Sequence, residues 1–516
     1  MVALLALLGC HTLPPGDPQR PDVVLISIDS VRADHLSSYG YKRNTTPNLD
    51  ALAAKGARYT HAMSGSPWTL PAHMTMMTGL WPTEHQVIED DRRLSDSVPT
   101  IAERMKAAGY ATAGFVSAVY LGGGYGFDRG FDRYEDYGLS EKASFAHQVR
   151  TPALVGDALK WAKKLPDGKP AFLFLHTYDA HYPYNPPAPW NTMYNRALRP
   201  LDLGYKNWTY YKLHPIGKNR MKALISQYDE SIRYVDDSLG PLIDTWSHDR
   251  NVVFIVLADH GEEFGERGSW GHAHTLYSEV LDVPLIVSGS GVPAGVRTER
   301  VGNVDVAATI AAIGGATWGI GDGVDVRATV ADRPFWPETS RFDANVLGVV
   351  DGPADHASAL VVDLAKGKRE HYNLWSDPGE AHPEAVANDP LEARIYQHLG
   401  EPWRAAAGAI TSTAALFQAG ARVPTVSAPA TFGMWPPDGT LSVDVEGVVT
   451  TIAGSIGVPS DGPVSSAGSQ PAEGRALNAE VKAELQSLGY TEDPATPGAG
   501  DGKEDQADPA DEPPKN

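Results

Sequence analysis

Apolar, β-branched runs alternate along this chain with segments whose apolar positions recur every three or four residues. The runs at 22–28 (DVVLISI), 110–116 (YATAGFV), 171–176 (AFLFLH), 252–257 and 284–288 (PLIVS) have the length and composition of buried strands. Helical periodicity falls between them, at 46–56, 69–79, 97–108, 217–247 and 304–314. The alternation predicts an α/β fold, a mostly parallel central sheet flanked by helices on both faces. From about 341 to 375 the pattern changes, and VLGVVDG, ASALVVDLAKG and KREHYNLWSD read as short strands with Gly and Asp turns, a small C-terminal antiparallel subdomain.

Farther on the signal thins. Pro, Gly, Ser and Thr dominate 424–475, and 411–476 reads as an insert or linker. LNAEVKAELQSLGY at 477–490 places Leu477, Val481, Leu485 and Leu488 on one helical face, with Gly489 as a stop. The acidic tail 491–516 has almost nothing apolar to bury and reads as disordered. The predicted division is therefore a leader and tether at 1–20, a main α/β domain at 21–335 and a small α+β subdomain at 336–410, followed by the linker, the last helix and the tail.

With 516 residues and 42% hydrophobic content the chain can bury one large core and a smaller appended unit. Its net charge of −21 disfavours nucleic acid or an anionic membrane surface as a partner. The single cysteine, Cys10, ends the apolar run VALLALLG, and Leu7-Leu8-Gly9-Cys10 resembles a bacterial lipobox. That reading predicts a soluble domain held in the bacterial cell envelope, periplasmic or at the outer surface, by a lipid on Cys10. The alternative is an apolar N-terminus with a chance cysteine. No other run approaches the roughly 18 apolar residues of a membrane span.

Three segments carry candidate chemistry. Asp29 ends the first strand, where it suits a divalent cation or a helix cap. Asp259 and His260 end the strand at 252–257, and Gly261 lets both side chains converge as the backbone turns. Thr69 stands two residues before Pro71, at or just before a helix N-cap, where it either caps or supplies a hydroxyl beside the positive end of a helix. Both acids would reach the sheet edge where ligands bind in open α/β folds.

These segments, with GYKRNTTPNLDALAAKGARYTHAMS, TGLWPTEH, YGFDRGFDRYE, FLFLHTYDAHYPYNPP and WGHAHTLYSEVLDVPLIV, resemble the sulfatase family of the alkaline phosphatase superfamily over about 21–375. The family signature is Cys or Ser, any residue, Pro, any residue, Arg, closed by Thr-Gly. Here Thr69, Pro71, Thr78 and Gly79 keep that spacing, with Thr at the first position and His73 at the Arg position. The family's formylglycine cannot form from Thr, whose Cβ carries a methyl. The Lys-x-His pair that holds sulfate is also missing from GYATAGFVSAVYLGGG, and His272 or His274 replaces the Lys after the Asp-His-Gly segment.

What the resemblance implies is an enzyme in which a Thr69 alkoxide attacks directly, as in the phosphoryl-transfer branches of the superfamily. It implies one or two divalent metal ions, zinc or manganese being favoured and calcium or magnesium possible alternatives: one held by Asp29, Thr69, Asp259 and His260, a second by Asp179, His181 and His272. His181 would assist the leaving group, and His73 would contact a substrate oxygen or hydrogen-bond to the scaffold. His176, His274 and Tyr178 are read as orienting the ligands; Arg32, Asp34 and His35 as structural or supporting; Glu262 and Glu263 as a solvated helix start. Tyr182, Tyr184 and Trp190 could wall a substrate cleft. The expected substrate is a small-molecule, glycan or lipid ester: a phosphate monoester or diester or a phosphonate, alternatively a sulfate ester. A non-catalytic metal-binding envelope lipoprotein is the reading of another class.

Overall fold

A computed structural model describes residues 13–137, 149–195, 216–341, 344–364, 366–386 and 389–399, with strand segments at 414–418, 421–426, 441–445, 448–452 and 472–474. An eight-stranded sheet is built from β1 (Asp22–Ile28), β2 (Ala57–Met63), β3 (Ala111–Val116), β4 (Arg133–Glu135), β5 (Ala171–Thr177), β6 (Val252–Ala258), β7 (Leu285–Gly289) and β8 (Gly295–Gly302), in the order β8-β2-β7-β6-β1-β5-β3-β4. β1 lies in parallel between β6 and β5, which pairs with β3, while β7 runs antiparallel between β6 and β2. Strands β1, β5 and β6 are buried along their whole length, as unbroken apolar runs covered on both faces must be.

Helices α1 (Pro47–Ala53) and α4 (Thr151–Ala162) both pack on α5 (Lys218–Asp249); α2 (Thr69–Thr78), α3 (Ile101–Ala107) and α6 (Val306–Gly314) form a second group. The mostly parallel, helix-flanked architecture follows the sequence expectation. β2, β8 and α4 are not evident from the apolar pattern. In β2 the polar residues Arg58, Thr60 and His61 interrupt it, and the first half of the edge strand β8 faces solvent. In α4 a Thr-Pro start and Gly156 mask a buried stripe of Leu154, Val155, Ala158 and Ala162.

A second, antiparallel sheet, β9 (Glu338–Thr339), β10 (Val346–Asp351), β11 (Ser358–Asp363) and β12 (Lys368–Asn373), has its own apolar core, and the helix Pro390–Leu399 packs on it. The stretch read as an insert or linker holds four antiparallel strands between 414 and 452, among them LSVDV and VVTTI. The predicted last helix at 477–490 and Cys10 lie outside the described residues. Among the described residues no helix is long and apolar enough to cross a membrane.

Candidate metal centre and nucleophile

Three parallel neighbours in the sheet end together, and their C-terminal edge carries the site. Asp29 follows β1, Asp259 and His260 follow β6, and His176 is the penultimate residue of β5, in register with Ser27. α2 enters the same edge with Thr69 as its first residue and His73 one turn later. Gly261 is required by packing, since a Cβ there would stand 2.2 Å from the Glu279 carbonyl oxygen.

The side chains converge tightly. His176 Nε2 is 3.3 Å and Thr69 Oγ1 3.4 Å from Asp29 Oδ2. His260 Nε2 is 3.4 Å from Asp259 Oδ2 and 3.8 Å from Asp29 Oδ1, and His73 Nδ1 is 3.5 Å from Asp259 Oδ2. The backbone amides of Ser30 and His260 donate to Asp259 Oδ1, and the Ser30 hydroxyl donates to Asp29 Oδ1. Ser30 holds a left-handed backbone, φ 58°, to turn the chain here.

Asp29, Asp259, His73, His176 and His260 are fully buried. Asp259 Oδ2, His260 Nε2 and both ring nitrogens of His176 have no hydrogen-bond partner. So many buried polar atoms facing one another without partners is costly unless a cation joins them. Two groups could hold a metal ion, Asp29-Asp259-His260 and His73-His176-Asp259, each with its ligand atoms within 4.8 Å of one another. The donor set of carboxylate and imidazole suits zinc or manganese.

Electrostatics agree with that fit. Burial and the charge of Asp29 push the Asp259 carboxyl well above its usual range. Burial also pushes Asp29 upward, but His176 and the other imidazoles more than offset it and hold Asp29 low. Burial depresses His260 and His181 to about 3 and drives His73 well below its usual value, so all three are neutral at pH 7. Neutral imidazole is the form that ligates metal.

Several sequence expectations change. Thr69 does not cap α2: the cap position is Trp68, and the Thr69 hydroxyl points to Asp29 instead. Asp179 is not brought to the cluster by its contacts, because its Oδ2 accepts from the amide and hydroxyl of Thr151, both at 2.6 Å, and its Oδ1 from Arg150 at 3.0 Å. Of the two readings given for His73 the scaffold contact is the one seen, with Nδ1–H donating to the Thr69 carbonyl at 2.8 Å and Nε2 accepting from Ser27 Oγ at 2.9 Å. Glu262 and Glu263 are fully buried, not solvated. Trp190 turns away to Asp237 on α5.

His181 and His272 do lie beside the cluster. The His272 ring centroid is 4.4 Å from that of His260 and 5.0 Å from that of His181. His181 donates Nδ1–H to the Tyr182 carbonyl, and the Tyr178 hydroxyl meets its Nε2 at 3.1 Å. Glu262 joins His272 to Tyr184, whose left-handed φ of 49° aims its hydroxyl at the carboxylate. His274 packs behind, bonded to the His272 carbonyl and Ser269. Arg32 pairs with Asp34 and Glu266, and His35 with Asp229, as structural groups.

Comparison with known proteins adds a common frame. The family model described as Sulfatase matches residues 21–316. A choline-sulfatase of Rhizobium meliloti is 23% identical over 72% of this chain and 81% of its own length. A low-salt glycan biosynthesis sulfotransferase of Haloferax volcanii is 25% identical over 62% of this chain and 67% of its own. In three dimensions a phosphonate monoester hydrolase from Silicibacter pomeroyi superposes with a TM-score of 0.57 at 20% identity, covering 74% of this chain and 94% of that one.

Proposed function

The chain belongs to the sulfatase family of the alkaline phosphatase superfamily, and on that premise we propose that it is a metal-dependent ester hydrolase, or transferase, that cleaves phosphate monoesters, diesters or phosphonates through Thr69. The observation that carries this reading is the Thr69 hydroxyl, buried and 3.4 Å from Asp29 Oδ2, beside Asp259 Oδ2, His260 Nε2 and the His176 ring nitrogens, which have no hydrogen-bond partner. A threonine at that position cannot supply an aldehyde, so its own oxygen is the available nucleophile.

Asp29, Asp259 and His260 would hold the cation, with His176 the further imidazole at the same edge. A divalent cation bound there would supply the positive charge that makes a hydroxyl nucleophilic at neutral pH and stabilises charge on the ester oxygens. Asp29 Oδ2 accepts from Thr69 Oγ1 and fixes where the hydroxyl points. Thr69 Oγ attacks the phosphorus, the alcohol leaves, and water or an acceptor alcohol then releases the group from Thr69. His181, neutral and with its Nδ1 proton fixed on the Tyr182 carbonyl, presents Nε2 as the site that exchanges a proton during release. The relatives named as sulfatases support sulfate esters as a second reading.

The test compares matched aryl sulfate, phosphate monoester, phosphate diester and phosphonate substrates, with bound metal measured, for wild type and Thr69→Ala. Phosphoester or phosphonate turnover that drops by about 10⁴ or more without Thr69 is the expected result. Wild-type rates in Thr69→Ala remove the nucleophile, and dominant sulfate turnover moves the enzyme to the second reading.

A further inference from the structure

The N-terminal segment does not hang free. Leu13 is buried in the main core, and its amide donates to Asp249 Oδ2 at 2.7 Å. Arg250 donates to the Pro14 carbonyl, and the Gly168 amide to the Pro15 carbonyl at 2.9 Å. The same guanidinium reaches the Lys169 carbonyl and the Asp22 carboxylate, and Gly16 packs on it so closely that a Cβ would stand 3.3 Å away. These partners, Asp22, Gly168, Lys169, Asp249 and Arg250, all lie at or just before the starts of β1, β5 and β6, at one edge of the sheet.

The acid–histidine cluster sits where the same strands end. Seven residues of β1 separate the two edges, about 23 Å of strand. Helix α5 spans the domain in the same sense: Asp249 at its C-terminal end holds Leu13, and Lys218 begins the other end, some 32 residues or about 48 Å away.

Basic side chains without an ion-pair partner gather at this edge although the whole chain carries a net charge of −21. Lys55 in the turn into β2, Arg104 before β3, and Lys163, Lys164 and Lys169 before β5 all lie at the strand-start edge. The first four are exposed, Lys169 is half-buried, and none makes an ion pair among the described residues. Lys55, Asp244, Ser247, His248 and Ser290 line an open groove of about 630 Å³ there; Asp167 and Asp244 are exposed acids on the same edge, outnumbered by the five cations. Cys10 precedes Leu13 by three residues, which span at most about 11 Å.

We infer that the strand-start edge is a membrane-facing surface: Cys10, lipid-modified, brings an anionic bilayer against Lys55, Arg104, Lys163, Lys164 and Lys169, and the acid–histidine cluster is turned to the opposite, aqueous side. The pinned Leu13–Gly16 segment leaves too little chain for the domain to swing on a long tether. Basic side chains next to the anchor add attraction to anionic headgroups within a Debye length. This inference is independent of the reaction catalysed.

The experiment uses the full chain expressed in a bacterium that acylates lipoproteins. Because Cys10 is the only cysteine, acylation leaves an introduced Lys164→Cys or Lys218→Cys as the sole reactive thiol for a fluorophore. The labelled chains are placed in vesicles of phosphatidylglycerol and phosphatidylethanolamine carrying a headgroup quencher. Expected are a membrane-bound wild type, release of Cys10→Ser to the soluble fraction, and several-fold stronger quenching at position 164 than at 218. Reversing the edge with Lys55→Glu, Lys163→Glu and Lys169→Glu lowers quenching at 164 while circular dichroism stays unchanged. A chain that is not acylated, or equal quenching at both positions, overturns the inference.

Discussion

Glu262 and His272 form one buried unit, with Oε1 of the carboxylate 2.8 Å from Nδ1 of the imidazole. A carboxylate partner fixes the proton on Nδ1 and leaves Nε2 as the nitrogen available toward His260 and His181. Tyr184 closes the unit by donating to Oε2 at 2.6 Å. Glu262→Gln is therefore expected to lower metal affinity or turnover by about 10- to 100-fold, as loss of a group that orients a ligand does. Metal titration together with kcat checks this, and unchanged values in both would make the pair scaffold only.

Asp259→Asn separates folding from metal capture. Without a cation, two carboxyls share a dry site and Asp259 is pushed well above its usual range by burial and by Asp29. Removing one acid is expected to stabilise the metal-free protein by about 1–3 kcal/mol while abolishing tight metal binding. Wild type should gain about 2.7 kcal/mol with metal at a hundred times Kd. Thermal unfolding with chelator and with added zinc or manganese reads both effects.

Asp179→Asn tests the reassignment of that acid. Its carboxylate secures the first residue of α4 through the Thr151 amide and hydroxyl. The expected cost is about 1 kcal/mol of stability, the size of a helix-capping contact. Metal stoichiometry and kcat stay at wild-type values, and a fall in bound metal would return Asp179 to the ligand set.

Glu338 sets a pH dependence away from the site. It is buried, its Oε2 has no hydrogen-bond partner, and burial with the charge of Glu89 pushes its carboxyl up to about 8. A raised carboxyl favours the native state below the unfolded value of about 4.5, where the contribution is complete. As pH rises the unfolded chain loses its proton first, so that contribution declines from there until about 8, where the native group also ionises. Glu338→Gln should flatten that decline, by an amount on the order of 3 kcal/mol. Denaturant midpoints at pH 5 and pH 8 measure it; an unaltered slope would place the pH sensitivity elsewhere.

The central fold and half the site are legible in the sequence for physical reasons. β1 and β6 are buried on both faces and so appear as unbroken apolar runs, and the acids that stop them stand out. Interrupted strands such as β2 give no such contrast. His176 is not visible as a cluster member because its approach to Asp29 depends on the register of β5 against β1, a property of the pairing and not of either segment. Glu262 misleads for a related reason: a Glu-Glu pair reads as surface until a short hairpin returns His272 and a distant loop brings Tyr184 to cover it. Asp179 misleads in the opposite direction, since a strand-end acid near a His looks like a ligand until α4 occupies it. Asp29, Asp259 and His260, expected as ligands, do gather at one edge of the sheet, and His176 joins them there.

The central position of β6 has a consequence for how this protein comes into being. β6 sits between β1 and β7, so during synthesis Asp29, Thr69 and His176 leave the ribosome long before the strand that delivers Asp259 and His260. No N-terminal fragment that ends before β6 can bring Asp29, Asp259 and His260 together. The acid–histidine cluster thus comes into being only when β6 enters the sheet, and a chain released before that point carries Asp29 and His176 without the partners they face.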